Sequence, residues 1–211
     1  MRKSILTIVV MLAVALHAQV LRRVSDADAR VMVEQIGRAA SSVRTLEGDF
    51  TQVKSLRFLS DKMTSQGRMY YDATGKLRWE YIRPYTYVFI LNGQKVYIHS
   101  SRGSQTIDVR QSRLFQGIAQ VMMNSVTGKN LSANSDFSTV LYTQGDEWVA
   151  ELTPRKKEMK QMFKTIRLHF DSASQKVSKV EMTEQGGDLT VITLKNVKTN
   201  GKIDAHLFAG R

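Results

Sequence analysis

The chain has 211 residues, 42% of them hydrophobic, and no cysteine. That is enough for one substantial core, and it excludes disulfide staples, thiolate metal sites and a thiol nucleophile. Lys and Arg outnumber Asp and Glu by 31 to 19, a net charge of +12. The cations are scattered through the chain, which argues against nucleic acid and for attraction to an anionic membrane surface or an acidic partner.

At the N-terminus Arg2 and Lys3 precede an apolar run over 5–16, with small residues at Ala13, Ala15 and Ala18. This pattern predicts a secretory signal peptide over 1–18, cleaved near Ala18 and too short for a transmembrane anchor. One domain over 19–211 remains, with the charge lowered by the two units of Arg2 and Lys3. No lipobox cysteine is present and no second apolar stretch is long enough to span a bilayer. The mature product is expected to be soluble and exported.

Ser25-Asp26-Ala27-Asp28 has the form of a capping box. Ala29, Met32 or Val33, Ile36, Ala39 or Ala40, and Val43 then recur at helical spacing, which predicts an amphipathic helix of about five turns. A first strand is expected over 46–53 and the next from Gly67, with a polar connection around 60–65. Three runs then alternate with period two: Leu77, Trp79 and Tyr81; Tyr85, Tyr87, Phe89 and Leu91; Val96 and Ile98. Asp72-Ala73-Thr74-Gly75, Arg83-Pro84 and Asn92-Gly93 supply the turns between them, so an antiparallel meander with bulky residues on one face is predicted.

A short strand is expected over 104–109. The period then changes over 112–127, where Leu114, Phe115, Ile118, Val121 and Met122 fall at helical spacing and Gly128 stands as C-cap. Met122 and Met123 would give this helix a soft, adaptable surface. Further strands are expected over 137–142, 147–152, 163–170, 177–184, 189–197 and 203–208. The basic cluster of Arg155, Lys156, Lys157, Lys160 and Lys164 reads as a solvated loop. The expected fold is mainly β (α+β): one strongly curved antiparallel sheet of about ten strands, an incomplete β-barrel with helices covering its concave apolar face.

The residues give little that could catalyse a reaction. His99, His169 and His206 each sit inside a strand pattern without a partner at metal-ligand spacing. No nucleophile elbow, zinc-protease motif, P-loop or dinucleotide fingerprint occurs. The chain is expected to be neither an enzyme nor a holder of metal or cofactor. A bulky apolar face under helices suits a different task. An acyl chain of about fourteen methylenes gains roughly 11 kcal/mol when fully removed from water, so hiding one is useful work without any catalytic group.

Several stretches carry a family resemblance. They are Phe50-Thr51-Gln52, Gly67, Leu77-Arg78-Trp79-Glu80-Tyr81 with Pro84, Asn92-Gly93-Gln94-Lys95-Val96-Tyr97, Leu152-Thr153-Pro154, and Asn200-Gly201 with Ile203-Asp204 and Phe208. In order and spacing they resemble the LolA family of periplasmic outer-membrane lipoprotein carriers over nearly the whole mature chain. The resemblance implies an apolar interior that takes lipoprotein acyl chains from an inner-membrane transporter and passes them to an outer-membrane acceptor, as a monomer. It places Leu77 and Trp79 at cavity-facing positions, and strand alternation independently puts Tyr81 on their face. The expected lipid-binding cavity comprises Leu77, Trp79, Tyr81, Tyr87 and Phe89, with Leu114, Phe115, Ile118, Met122 and Met123 from a lid helix over 112–127. The family's arginine-proline pair at the turn before this strand is absent, which leaves Arg68 or Arg78 as substitutes for its lid-holding arginine. A carrier of another lipid or pigment precursor, and a periplasmic module that senses lipoproteins, are the alternative readings.

Overall fold

A computed structural model describes residues 20–111, 121–124, 127–128, 131 and 136–210. The expected signal peptide and Leu114, Phe115 and Ile118 of the expected second helix lie outside these residues. The described elements are β1 (Arg22–Arg23), α1 (Asp26–Ser42), β2 (Thr45–Ser55), β3 (Lys62–Asp72), β4 (Lys76–Arg83), β5 (Tyr87–Asn92), β6 (Lys95–Ser100) and β7 (Gly103–Asp108). They continue with β8 (Phe137–Gln144), β9 (Glu147–Pro154), α2 (Lys157–Met162), β10 (Phe163–Asp171), β11 (Val177–Glu184) and β12 (Leu189–Thr199).

All twelve strands form one antiparallel sheet in the order β1-β8-β9-β10-β11-β12-β2-β3-β4-β5-β6-β7. The pairing of β12 with β2 joins two meanders, β2 to β7 and β8 to β12. The sheet stays open between β7 and β1. Register fixes which residues share the inner face. Leu46, Tyr71, Leu77, Leu91 and Val96 form one row across β2 to β6, and Met69, Trp79, Phe89 and Ile98 form the next. These residues and their counterparts on the other meander, among them Leu141, Ala150, Leu168 and Val180, belong to one core cluster. Met32, Ile36 and Val43 from α1 and its C-cap join the same cluster, so α1 lies on the inner face. Ser25 caps α1 by accepting from the Asp28 amide, as the capping box predicts.

The structure corrects four expectations drawn from the sequence. Strand β3 begins at Lys62 and not at Gly67, because residues 62–66 pair in register with β2 although only Ser65 among them is buried. Residues 203–208 do not form a strand. They end in a 3-10 turn, Ala205–Phe208, capped by the Asp204 carboxylate. Phe208 is buried with Val88 and Ile90 on the outer side of β5, which explains why β5 is apolar on both faces. The basic loop contains the helix α2, held on the body by buried Met159. Finally, Arg22–Arg23 adds a two-residue strand beside β8, which raises the count to twelve and is too short to show periodicity.

Candidate functional site

Under the inner face lies a cavity of about 240 Å³ lined by Gln52, Trp79, Tyr81, Val121, Met122, Met162, Phe163, Val180, Met182, Ile192 and Leu194. Register explains why it is there. Val180, Ile192, Gln52 and Ser65 follow one another across β11, β12, β2 and β3. The next row runs from Leu194 through Phe50 and Gly67 to Tyr81. Ser65 and Gly67 bring almost no side chain into the interior, and the Phe50 ring takes the space at Gly67. At Gly67 an added Cβ would collide with the Glu80 carbonyl oxygen and lie 2.5 Å from the Phe50 ring. Glycine is therefore what lets Phe50 lie flat over β3.

Phe50 anchors an aromatic wall. Its ring stacks on Trp79 at 4.4 Å between centroids and meets Tyr81 edge-on at 5.1 Å. Tyr81 in turn packs against Tyr85 at 5.6 Å and Tyr87 at 6.0 Å. Its hydroxyl donates to Gln52 Oε1 at 2.9 Å, which pairs two polar groups that would otherwise face an apolar space. Burial, with the neighbouring Tyr85 second, pushes the Tyr81 phenol up to about 12. Val121, Met122, Met162 and Met182 bring aliphatic and thioether side chains to the lining. These are side chains that re-pack at low cost.

Of the residues expected at a lipid cavity, Trp79, Tyr81 and Met122 line this one. Leu77 and Phe89 are buried in the core behind it, and Tyr87 and Met123 pack against that core. Leu114, Phe115 and Ile118 lie outside the described residues. Neither arginine considered as a lid holder faces the interior. Arg68 is on the outer face, 3.8 Å from Asp49, and Arg78 binds Glu80 and the Leu207 carbonyl of the C-terminal turn. Sequence reasoning misses most of the lining: Gln52, Met162, Phe163, Val180, Met182, Ile192 and Leu194. The alternation over 177–184 and 189–197 does place Val180 with Met182 and Ile192 with Leu194 on single faces. It does not say that this face meets the aromatic meander, because that depends on the long-range β12–β2 pairing.

Among the described residues no group of three or more His, Cys, Asp or Glu could hold a metal ion. No helix among them is long and apolar enough to cross a membrane. The site is a hydrophobic recess with one internal polar pair.

Comparison with known proteins agrees with this architecture. An outer-membrane lipoprotein carrier protein of Methylococcus capsulatus is 29% identical over 171 residues, covering 79% of this chain and 77% of its own length. That of Cupriavidus pinatubonensis is 24% identical over 180 residues, covering 83% and 81%. The crystal structure of an uncharacterized conserved protein from Thermus thermophilus superposes with a TM-score of 0.51 at 9% identity, covering 85% of this chain and 92% of that one, and so shares the fold. The family model for the outer membrane lipoprotein carrier protein LolA matches residues 41–210, and the chain belongs to the LolA family.

Proposed function

We propose that the protein is a periplasmic carrier that shelters lipoprotein acyl chains and moves them from the inner to the outer membrane after removal of residues 1–18. The observation that carries this reading is the apolar recess on the inner face, lined by Trp79, Tyr81, Val121 and Met122 among others. At about 240 Å³ it is smaller than the roughly 300–1,000 Å³ of pockets that enclose drug-sized ligands. Admitting an acyl chain therefore requires Val121 and Met122 to withdraw. The recess is small when empty and widens when a chain offers comparable burial, roughly 0.8 kcal/mol per methylene. Such a device loads and unloads with no chemical step, and the direction of transfer comes from a donor transporter and an outer-membrane acceptor. In this reading the residues that meet the cargo are Trp79, Tyr81, Met122 and the C-terminal lining of Val180, Met182, Ile192 and Leu194.

Depletion of the protein in its own host, followed by separation of the membranes, tests the role. Outer-membrane lipoproteins are expected to remain in the inner membrane. Native mass spectrometry of the protein from periplasm is expected to show bound lipoprotein. A different lipid or a pigment precursor in the cavity, with lipoproteins sorted normally, would replace this reading with that of another cargo on the same fold.

A further inference from the structure

The end of the sheet nearest the cavity carries most of the exposed large hydrophobic side chains among the described residues. Among the described residues seven large hydrophobic side chains are exposed, and five of them, Phe58, Leu59, Met63, Ile82 and Tyr85, lie at this end. Phe58 and Leu59 stand at the tip of the β2–β3 loop, 86% and 60% exposed. Met63 opens the inner face of β3, and Ile82 and Tyr85 flank the β4–β5 turn. The patch continues into the cavity wall, since exposed Tyr85 stacks on cavity-lining Tyr81. Isolated exposed apolar residues are ordinary, but a contiguous set at a binding-site rim marks an interaction surface.

The rim is also basic. The β11–β12 loop ties its two halves together. The Gln185 amide nitrogen donates to the Met162 carbonyl, its side chain donates to the Lys160 carbonyl, and Asp188 accepts from the Arg57 amide. The lysines of α2 and the Phe58 loop therefore belong to one surface. Glu184 there is matched to Lys54, and Asp136 to Lys156. Asp61, Glu158 and Asp188 stand among Arg57, Lys62, Arg83, Lys157, Lys160 and Lys164, all six of these cations exposed. Aromatic and aliphatic tips ringed by Lys and Arg match a bilayer surface of anionic phospholipid: the tips reach the acyl boundary while the cations meet the headgroups. A protein partner that buried the tips would have to supply its own acids against the excess of three cations. An anionic bilayer supplies them everywhere, and a net charge of +12, still strongly positive without the two units of Arg2 and Lys3, draws the protein to it.

We propose that this rim docks directly on the surface of an anionic phospholipid bilayer, with Phe58 and Leu59 entering the interface and Arg57, Lys62, Lys157 and Lys160 against the headgroups, so that the cavity end faces the membrane. The docking rests on the exposed rim and does not depend on what fills the cavity. The mature protein is mixed with vesicles of phosphatidylglycerol and phosphatidylcholine in equal parts, and separately with pure phosphatidylcholine, and sedimented. Binding to the anionic vesicles alone is expected. It should fall when NaCl rises from about 0.1 to 1 M, which shortens the screening length from about 10 to 3 Å. Lys157→Glu and Lys160→Glu are each expected to weaken it at least fivefold. The double variant Phe58→Ser, Leu59→Ser is expected to weaken it at least tenfold with an unchanged melting temperature. Equal binding to both vesicle types, or binding that survives the rim variants, would overturn the proposal. So would indifference to vesicles combined with a purified membrane protein that binds the wild type and not the double variant, which would assign the rim to that protein. Uptake of a fluorescent fatty acid, measured without vesicles, reports on the carrier reading independently: the rim variants are expected to leave it unchanged.

Discussion

Gly67 and Tyr81 set the cavity's shape from one row of the sheet, and each makes a separate measurable statement. A methyl group at position 67 would collide with the Glu80 carbonyl and with the Phe50 ring, neither of which can retreat without displacing β4 or the Trp79 stack. Gly67→Ala is therefore expected to lower the unfolding free energy by about 1–3 kcal/mol, the usual cost of overpacking, as read from urea denaturation. Tyr81 gives a pH dependence. Its phenol ionises near 12 in the fold against an ordinary value of 10.0. Between those limits the unfolded chain holds fewer protons than the native one, so stability falls as pH rises. The contribution is fully present below pH 10 and is lost on passing through about 12, on the order of 2 kcal/mol. Tyr81→Phe is expected to flatten that alkaline loss in a denaturation series, and to cost about 1 kcal/mol at neutral pH because Gln52 loses its donor.

At the scale of elements, the C-terminal turn has a role that its sequence conceals. Residues 203–208 carry apolar side chains at Ile203 and Phe208 and so pass for a strand, but the Asp204 cap winds Ala205–Phe208 into a 3-10 turn. The turn is held on the outer face of the sheet by Arg78, which donates to the Leu207 carbonyl, and by Asn92, which donates to that of Phe208. Phe208 thereby covers Val88 and Ile90, which would otherwise expose an apolar patch on the convex side. Phe208→Ala is expected to destabilise the protein by about 3–5 kcal/mol in thermal or urea unfolding and to promote aggregation. Elements with their own periodicity are legible in the sequence: α1 with its cap, the strands β4 to β6, and β11 with matching bounds. Elements whose form depends on distant partners are not. α2 is six residues long and is fixed by the burial of Met159, and the start of β3 is polar and takes its shape from pairing with β2. The same distinction divides the candidate site. Local alternation finds Trp79 and Tyr81, whereas Leu77 and Phe89 alternate identically and differ only in lying further from the open space.

For the molecule as a whole, the β12–β2 pairing is decisive, because it bends two meanders into one wall around a recess that neither could enclose alone. The N-terminal meander contributes Gln52, Trp79 and Tyr81 and the C-terminal one Phe163, Val180, Met182, Ile192 and Leu194, with Val121 and Met122 completing the lining from the connection between them. In the proposed carrier, residues that hold the fold are distinct from residues that meet cargo, and two substitutions tell them apart. Ile192→Trp adds bulk to a side chain that borders open space, so the added ring enters the cavity with little strain. It is expected to leave the unfolding midpoint near that of the wild type while reducing uptake of a fluorescent fatty acid at least tenfold. Leu77→Ala, in contrast, removes atoms from a fully buried site away from the cavity. It is expected to cost about 2–5 kcal/mol in stability and to leave uptake within about twofold at temperatures where the protein stays folded. If Ile192→Trp binds the fatty acid normally, the cargo does not occupy this recess and the inner face serves only as core. If instead Leu77→Ala loses binding while still folded, the occupied space extends one row deeper than the cavity of the empty protein, and loading opens the sheet's interior as well as displacing Val121 and Met122.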